Sequence, residues 1–345
     1  MSSNHRDLAL DALLHPFQQQ LLQWQPPALF LRARPSSALP AGIQATQPFA
    51  PAATALQRVG TALLDEDALP AAAFPLVLVL PPRQREEARA LFAKAYAALA
   101  PGGIVVAAVA NDEGAKSREA DLKQLAGSVT TLSKYHCRVF WTQPHAVWNA
   151  ELGAQWQGLD APRRVVTDDA ANGHFMSRPG VFAWDRVDAA SKMLVAALPA
   201  NLTGAVADFG AGWGYLAQQV LARCPKVTSL DLYEADARAL ALAQHNLALA
   251  QVTVRTHWHD VTAGVDGRFD AIVCNPPFHA LGGGERPDIG RAFIAAAAQA
   301  LKPKGVLWLV ANRHLPYEDA LATGFAQVSC VAQGGGFKIV QAVKA

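Results

Sequence analysis

The sequence predicts an α/β protein made of two tandem domains, each a mainly parallel sheet with flanking helices. One order of elements occurs twice, from Phe74 and again from Phe269: a buried strand, a Pro-Pro turn, an alanine-rich helix, a proline-glycine turn and a second strand. The second copy is preceded, from Val206, by a short strand that runs into a glycine-rich turn and a helix. Strands that alternate with helices favour a parallel sheet, because parallel neighbours need a long crossover connection.

The two copies can be aligned by residue number. Phe74 and Phe269 are 195 positions apart, and so are their Pro-Pro turns, whereas Leu99 and Leu301 are 202 positions apart. The second copy therefore has seven additional residues after its Pro-Pro turn. A shared order of this length indicates a duplicated domain. The alternative is a chance alignment of two alanine-rich regions.

The first copy lacks the features that would give it chemistry. Leu80 stands where the second copy has Asn275. The first half also contains no strand that ends in a glycine-rich turn, since its nearest candidate, FLRARPSS from Phe30, has no glycine. We therefore expect the first domain to be a degenerate form of the second.

Length and composition fit a globular protein with two cores. The chain has 345 residues, of which 51% are hydrophobic and 17% are charged. Residues 149–164 are polar and punctuated by glycine and proline, which predicts a linker and places the domains at residues 1–160 and 161–345. Lys and Arg number 30 against 28 Asp and Glu, so the net charge of +2 indicates no polybasic tail.

The cysteines and histidines do not form a metal-binding pattern. Four scattered cysteines without a CxxC pair argue against a zinc site or a disulfide framework, and they favour a reducing cytoplasm. His257 and His259 lie at strand spacing, but no third ligand with suitable spacing follows. No segment is long and apolar enough to span a membrane. We therefore expect a cytoplasmic protein without a metal.

A glycine-rich turn opens the second domain. In VADFGAGWGY, from Val206, a strand ends in Asp208 and leads into a turn and a helix. The turn contains Gly210, Gly212 and Gly214. Glycine allows a ligand to approach the backbone, and the N–H groups that begin a helix can bind a carboxylate or a phosphate. A dinucleotide fingerprint needs glycine at Tyr215, so NAD is disfavoured. We expect cofactor contacts from this segment; a turn without a ligand is the alternative.

Acidic residues follow the next two strands. The strand VTSLDLYE ends at Glu234, where a carboxylate is placed to accept hydrogen bonds from two ribose hydroxyls. Asp231, on the opposite face of the same strand, is the alternative. Asp260 follows the third strand and could reach an adenine amino group. A solvated turn aspartate is an equally open interpretation of Asp260.

The most specific motif follows the strand DAIVC. It consists of Asn275, Pro276, Pro277 and Phe278. The Asn275 side-chain oxygen and the Pro276 carbonyl can accept both protons of an exocyclic amine, which favours a nitrogen whose lone pair faces an electrophile. The two prolines stiffen the turn, and Phe278 offers a face for a base to stack on. A loop with Phe278 in the core is the alternative.

Several segments together resemble one family. They are RPGVFAWDRVDAASKML, DFGAGWG, CNPPFH, VANRHLPYEDAL and GGFK. From Phe175 to the C-terminus the chain resembles bacterial ribosomal RNA guanine-N2 methyltransferases of the small-subunit and large-subunit kinds. The resemblance implies two tandem Rossmann-like class I methyltransferase domains, each with a mainly parallel seven-stranded sheet, of which the first is degenerate.

The resemblance also implies roles for individual residues. Gly210 and Gly212 would contact S-adenosylmethionine, Glu234 would bind its ribose, and the Asn-Pro-Pro-Phe motif would hold the target base. Asn275 would also contact the cofactor. Phe182 and Asp188 would cover the cofactor. Two positions depart from the pattern, because relatives usually carry glycine at Ala190 and often at Arg186. Candidate RNA-backbone contacts are Arg83, Arg85, Arg89, Arg163 and Arg164.

We therefore expect methyl transfer from S-adenosylmethionine to guanine N2 in ribosomal RNA, or in a ribosomal subunit, by a monomer. The small-subunit RNA is favoured, although LPYEDAL resembles the small-subunit enzymes and NRHL the large-subunit ones. The same motif is also suited to methylation of adenine N6 or of a glutamine side-chain amide. Two alternatives belong to other functional classes: a non-catalytic RNA-binding or ribosome-assembly factor, and an NAD oxidoreductase.

Overall fold

The computed structural model describes residues 7–170, 172–277 and 287–345. They form two compact units, the first ending at Ala161 and the second beginning at Pro162. The expected linker at residues 149–164 contains a helix, Ala150–Gln157, that packs against the helix Arg85–Ala98 of the first unit. Its buried Trp156 joins the core of that unit. This segment is therefore an element of the first unit.

The first unit contains a seven-stranded sheet and helices on both of its faces. Its strands are β1 (Ala28–Leu31), β2 (Ile43–Ala45), β3 (Ala62–Leu63), β4 (Phe74–Val79), β5 (Leu99–Ala110), β6 (Thr130–Lys134) and β7 (Cys137–Trp141). Its helices are α1 (Leu8–Gln18), α2 (Ala50–Arg58), α3 (Arg85–Ala98), α4 (Ala115–Ala126) and α5 (Ala150–Gln157). The strand order is β3-β2-β1-β4-β5-β7-β6.

The second unit begins with an antiparallel ribbon of β8 (Arg163–Val166) and β9 (His174–Ser177). Its helices are α6 (Ala189–Ala197), α7 (Tyr215–Arg223), α8 (Ala237–Asn246), α9 (Pro287–Ala300) and α10 (Glu318–Gly324). The strands of its main sheet are β10 (Thr203–Phe209), β11 (Lys226–Glu234), β12 (Thr253–Trp258), β13 (Phe269–Cys274), β14 (Leu301–Asn312), β15 (Gln327–Gly334) and β16 (Phe337–Val343). Their order is β12-β11-β10-β13-β14-β16-β15.

The two sheets have one topology, in which β1 corresponds to β10 and each later strand to its counterpart. Six strands of each sheet run in one direction, and one, β7 or β16, runs antiparallel between its two neighbours. The predicted fold class, two tandem seven-stranded α/β domains, is confirmed. Among the described residues, no helix combines the length and apolar character needed to cross a membrane.

Alternation along the strands covers both faces of the second sheet. Val206 and Val273 pack in the core that includes α6, α7 and α8, whereas Ala207 and Ile272 pack in the core that includes α9 and α10. Strands buried on both sides are continuous apolar runs, as the last four residues of β13, AIVC, show. The polar residues that follow each strand are consequently gathered at the carboxyl edge of the sheet.

The proline-glycine segments differ from the expected simple turns. In both units the strand begins earlier, at Leu99 and Leu301, and the pairing shifts register over the next residues. Gly102 and Lys304 adopt positive φ values of 76° and 62° there. The proline-glycine residues therefore form an irregular insertion within the strand, at the same position in both copies, and not a turn between helix and strand.

Candidate active site

The glycine-rich turn lies at the carboxyl edge of β10. The N–H groups of Gly210 and Ala211 donate to the carbonyl of Tyr233 at 2.8 and 3.1 Å. All three glycines of the turn have positive φ, between 53° and 90°. A Cβ on Gly214 would lie 3.1 Å from the Cα of Ala243, so α8 packs directly against the turn. A Cβ on Gly212 would meet nothing within 4 Å, which leaves this part of the turn open to a ligand.

Glu234 ends β11 beside this turn. Its carboxylate accepts the N–H of Gly212 at 2.8 Å and the N–H of Asp236 at 2.8 Å. Burial raises the pKa of Glu234, and the backbone N–H groups oppose that rise. The half-buried carboxylate therefore joins the tip of the second strand to the turn of the first.

Asp231, the alternative ribose ligand, is already occupied. Its buried carboxylate binds the Arg255 guanidinium at 2.9 and 2.7 Å and Nε2 of His257 at 2.8 Å. Burial alone would raise the pKa of Asp231, but these hydrogen bonds and charges lower it. Asp231 and Glu234 are three positions apart, so alternation directs the two side chains to opposite faces. Glu234 is the acid that contacts the turn.

Asp208 lies beneath the turn and has no exposed surface. Its Oδ2 accepts the N–H of Ala217 at 3.1 Å, while its Oδ1 has no hydrogen-bond partner. Burial, reinforced by the charge of Glu234, raises the pKa of Asp208 to about 8. A buried carboxyl in this position supports the turn and α7 from within and does not reach a ligand directly.

Asn275 follows β13 at the same edge. Cys274 pairs in parallel register with Phe209, so Asn275 and Gly210 are neighbours at the ends of adjacent strands. A Cβ on Gly210 would lie 3.7 Å from the Asn275 carbonyl oxygen. The structure thus brings the Asn-Pro-Pro turn and the glycine-rich turn together, although they are separated by about sixty residues of sequence.

The nitrogen of the Asn275 side-chain amide is bound by two neighbouring side chains. Its Nδ2 donates to Oδ2 of Asp188 at 3.0 Å and to Oγ of Ser191 at 2.8 Å. Within the described residues, no donor reaches Asn275 Oδ1, which is left to accept. The same Asp188 oxygen caps α6 by accepting the Ser191 N–H at 2.8 Å. The resemblance implies a cofactor role for Asp188, whereas the structure places its carboxylate on Asn275.

Ser191 was not among the predicted site residues. The sequence signal for it is an Asp-x-x-Ser spacing at a helix start, where the cap and the residue three positions later share one face. Pro276 is buried and Pro277 is exposed. Phe278, the expected stacking residue, lies outside the described residues.

The segment before α6 borders the glycine-rich turn. The Phe182 carbonyl accepts the indole N–H of Trp213 at 3.2 Å, and 68% of Phe182 is exposed. Arg186 pairs with Asp185 at the surface. Ala190 is buried in α6, so the methyl group that replaces glycine there packs in the core. The Phe182 side chain is therefore accessible at the side of the turn.

Asp260 lies at the end of β12, next to β11. It caps the short 3-10 turn Val261–Ala263 by accepting both the N–H and the hydroxyl of Thr262, at 2.9 and 2.7 Å. His257 stacks on Tyr233 at 4.3 Å, and His259 contacts the Gly264 carbonyl at 2.6 Å. In the part of the chain that the structure describes, no group of His, Cys, Asp and Glu is arranged to hold a metal ion.

The GGGFK segment forms a hairpin turn between β15 and β16, with positive φ at Gly335 and Gly336. Lys338 is buried, and its ammonium donates to the Leu315 carbonyl at 2.9 Å and to Glu318 at 2.7 Å. This lysine stabilises the segment that follows β14 and is not a phosphate ligand.

The first sheet shows what replaces these residues in the degenerate unit. Arg32 follows the last residue of β1 as Gly210 follows β10, and its φ is also positive, 57° against 77° at Gly210. Its guanidinium donates to Glu66 at 2.9 Å and to Glu87 at 2.8 Å. A mostly buried arginine side chain thus lies where the second unit has only a glycine.

Gln47 corresponds to Glu234. Its Oε1 accepts the N–H of Phe49 at 2.8 Å, as Glu234 accepts that of Asp236. Its Nε2 donates to the Ala33 carbonyl at 2.6 Å, where Glu234 accepts a backbone N–H. The first unit therefore keeps the backbone framework of the edge but has lost the open turn, the acid and the asparagine.

Comparisons with known proteins agree with this geometry. Residues 172–341 match the family model described as the methyltransferase small domain. Ribosomal RNA small subunit methyltransferase C of Psychromonas ingrahamii is 30% identical over 273 residues, which cover 78% of this chain and 76% of that protein. The protein of the same name from Shewanella sp. strain MR-4 is 32% identical over 272 residues, covering 77% and 76%.

A solved structure shares the fold along the whole chain. It is the T. thermophilus 16S rRNA N2 G1207 methyltransferase in complex with AdoMet and guanosine, with a TM-score of 0.83 and 24% identity over 99% of this chain and 93% of that one. The fold and the site define a methyltransferase of the small-domain class. The chain belongs to the ribosomal RNA small subunit methyltransferase C family.

Proposed function

We propose that this protein transfers the methyl group of S-adenosylmethionine to the exocyclic N2 of a guanine in small-subunit ribosomal RNA. The observation that carries the proposal is the Asn275 amide, whose two N–H groups are held by Asp188 and Ser191 beside an open glycine-rich turn. Its relatives named as small subunit methyltransferases support the choice of substrate.

The residues at the carboxyl edge fit S-adenosylmethionine. The open backbone at Gly212 admits a ligand close to the turn, and the Glu234 carboxylate can accept hydrogen bonds from ribose hydroxyls. Phe182 offers an exposed ring, and Asp260 can accept from an adenine amino group. When bound, S-adenosylmethionine supplies an electrophilic methyl group on a positively charged sulfur. Asp208 and Gly214 support these contacts from the protein side.

The Asn-Pro-Pro turn would bind the target base, which is the nucleophile of the reaction. The guanine N2 amine is a weak nucleophile because its lone pair is delocalised into the ring. Asn275 Oδ1 and the Pro276 carbonyl would each accept one of its protons, which favours a nitrogen with a directed lone pair. Phe278 follows in sequence as the stacking residue for an extruded base. Positioning is therefore the main contribution of these residues to the rate.

Asp188 and Ser191 act through Asn275. An amide can rotate to present either its oxygen or its nitrogen, and only the oxygen can hold an amine proton. A carboxylate and a hydroxyl that both accept from Nδ2 stabilise the productive rotamer. They are positioning residues, and they stabilise the acceptor before the substrate arrives.

The proposal assigns catalysis to residues 161–345 and RNA docking to residues 1–160. Every described residue given a role in the reaction belongs to the second unit. One chain therefore provides the described site without a second copy, which supports a monomer. A substrate in ribosomal RNA supports a cytoplasmic location.

Labelled methyl donor tests the proposal directly. Purified protein is incubated with small-subunit RNA, large-subunit RNA and their assembled particles, and the labelled nucleoside is identified after digestion. We expect N2-methylguanosine from small-subunit material. Label found in N6-methyladenosine would show that adenine, and not guanine, is the target base. A protein that binds the donor but labels no RNA would contradict the proposal.

A further inference from the structure

One side chain joins three segments of the second unit. Asn246, the last residue of α8, accepts the N–H of Met176 at 2.8 Å and donates to the carbonyl of Met176 at 2.9 Å. The same amide nitrogen donates to the carbonyl of Trp213 at 2.8 Å. A side-chain amide has an acceptor oxygen and two N–H donors, and all of these groups are used here. Asn246 therefore ties β9 to the glycine-rich turn.

Trp213 makes a second connection to the chain that follows β9. This residue belongs to the glycine-rich turn, and its buried indole donates its N–H to the carbonyl of Phe182 at 3.2 Å. The indole also packs against Phe175, with the two ring centroids 4.9 Å apart. Residues 176–183, which we call the cover segment, are thus bound to the turn near both of their ends.

The backbone at the end of the cover segment is in an unfavourable conformation. Ala183 has a φ of 49°, in the left-handed region that residues with a side chain seldom adopt. Such a conformation persists only where the surrounding contacts hold it, and it is common where proteins grip a ligand. Two contacts act here, because Val181 is buried in the core and the carbonyl of Phe182 is bound by the indole. The connection to Trp213 therefore holds a segment that would otherwise relax.

The cover segment presents one large apolar side chain beside the open part of the turn. Phe182 is 68% exposed, although its carbonyl is bound. A Cβ on Gly212, the neighbour of Trp213, would meet nothing within 4 Å. A phenyl ring in this place can cover an apolar face of a bound ligand. The position of the ring depends on the bonds that Trp213 and Asn246 make.

The degenerate unit does not keep this asparagine. The helices α2 and α8 correspond, because each follows the aligned residue of its unit, Gln47 or Glu234. Asn246 lies twelve positions after Glu234, and the residue twelve positions after Gln47 is Val59, which is 55% exposed. A valine side chain has no hydrogen-bonding group. The asparagine is therefore present in the unit that has the open turn and is replaced in the unit that has lost it.

We propose that Asn246 and Trp213 form a clamp that holds the cover segment beside the cofactor site before S-adenosylmethionine binds. The clamp consists of these two residues and their bonds to Met176 and Phe182. Both are positioning residues, since they act through the cover segment. The proposal rests on the proposed function, which places the cofactor beside the glycine-rich turn. A segment that is fixed in advance loses less conformational freedom on binding, so the clamp increases the affinity for the cofactor.

Calorimetric titration of the RNA-free protein with S-adenosylmethionine tests the clamp. Asn246→Ala removes the amide, and Trp213→Phe removes the indole N–H but keeps a ring against Phe175. We expect each variant to raise the dissociation constant roughly tenfold. Because either change opens the same clamp, we expect the double variant to show a rise close to that of one single variant, and not the roughly hundredfold rise of two independent effects.

Chymotrypsin cleavage after Phe182 gives a second measurement, which needs no cofactor. The bond after Phe182 is cut only when the cover segment leaves its folded conformation, so the rate of cutting reports local opening. We expect the cofactor-free variants to be cut there faster than the wild type, with the fragments identified by mass spectrometry. The matched control is Gln244→Ala, which removes an exposed amide from the same helix. It is expected to match the wild type in both measurements.

Three results would overturn the proposal: folded variants with wild-type affinity and cleavage, faster cleavage with unchanged affinity, and independent effects in the double variant. The second would mean that the held segment does not contribute to cofactor binding. If Asn246→Ala does not fold, Trp213→Phe is expected to show both changes by itself, and its failure to do so overturns the proposal. Because no measurement includes RNA, a protein whose clamp behaves as expected but which methylates no RNA would contradict the proposed function alone.

Discussion

Oδ2 of Asp188 accepts two hydrogen bonds at once, from Nδ2 of Asn275 at 3.0 Å and from the N–H of Ser191 at 2.8 Å. One oxygen therefore caps α6 and fixes the Asn275 amide. The start of a helix and the catalytic asparagine of our proposal are joined although 87 positions separate them. Substitutions at Asp188 can separate the two tasks.

Asp188→Ser keeps the helix cap and loses the contact with Asn275, because the serine hydroxyl is shorter but still accepts the Ser191 N–H. We expect kcat to fall roughly ten- to a hundredfold, since a misdirected acceptor misplaces the amine. The measurement is methyl incorporation at saturating RNA, together with the melting temperature. Asp188→Asn is the matched control, since its oxygen can accept both bonds. Equal rates for the two variants would show that Asp188 acts only as a cap.

Asn275→Ala removes the acceptor itself. We expect a loss of at least about a hundredfold in rate, because the amine is no longer oriented. Affinity for S-adenosylmethionine, measured by calorimetry, is expected to remain within a few fold of wild type, because the proposal assigns Asn275 mainly to the target amine. Near-normal turnover would refute the proposed role of Asn275.

Glu234→Gln reproduces in the second unit the residue that the first unit has at Gln47. The neutral amide accepts weaker hydrogen bonds than the carboxylate, so we expect the dissociation constant for S-adenosylmethionine to rise about tenfold. Burial raises the pKa of Glu234, so on acidification this carboxylate takes up its proton at a higher pH than an ordinary glutamate does. The affinity of the wild type for S-adenosylmethionine should therefore begin to weaken at that higher pH. Calorimetry at several pH values should show that weakening in the wild type and not in the variant.

Asp208→Asn tests the buried carboxyl. The folded pKa of about 8 exceeds the unfolded value of 3.8, so the folded state retains the proton, and the stability from this group is lost as pH rises toward 8. The variant should therefore gain stability relative to wild type between pH 5 and pH 9, by roughly 4 kcal/mol, which is about three pH units at about 1.4 kcal/mol each. Urea unfolding of both proteins at the two pH values measures this difference. A difference that does not change with pH would mean that Asp208 is ionised in the folded protein.

Much of the fold could be predicted from local sequence. The strand before Glu234, the helix from Arg85 and the hairpin at Gly335 all follow from apolar runs and turn residues, and the repeated order predicted the second sheet from the first. The helix α5 was missed, because a short polar segment gives little periodicity, and it is tertiary packing of Trp156 that stabilises it.

The sequence by itself determined the class of fold, the duplication and the residue types at the carboxyl edge, because these depend on the order of strands and turns along the chain. Only the tertiary structure decided which atoms meet. It placed Asp188 on Asn275, paired Asp231 with Arg255, and set Arg32 into the space left open in the second unit. Such contacts depend on strand register and side-chain direction between distant segments, which no local pattern specifies.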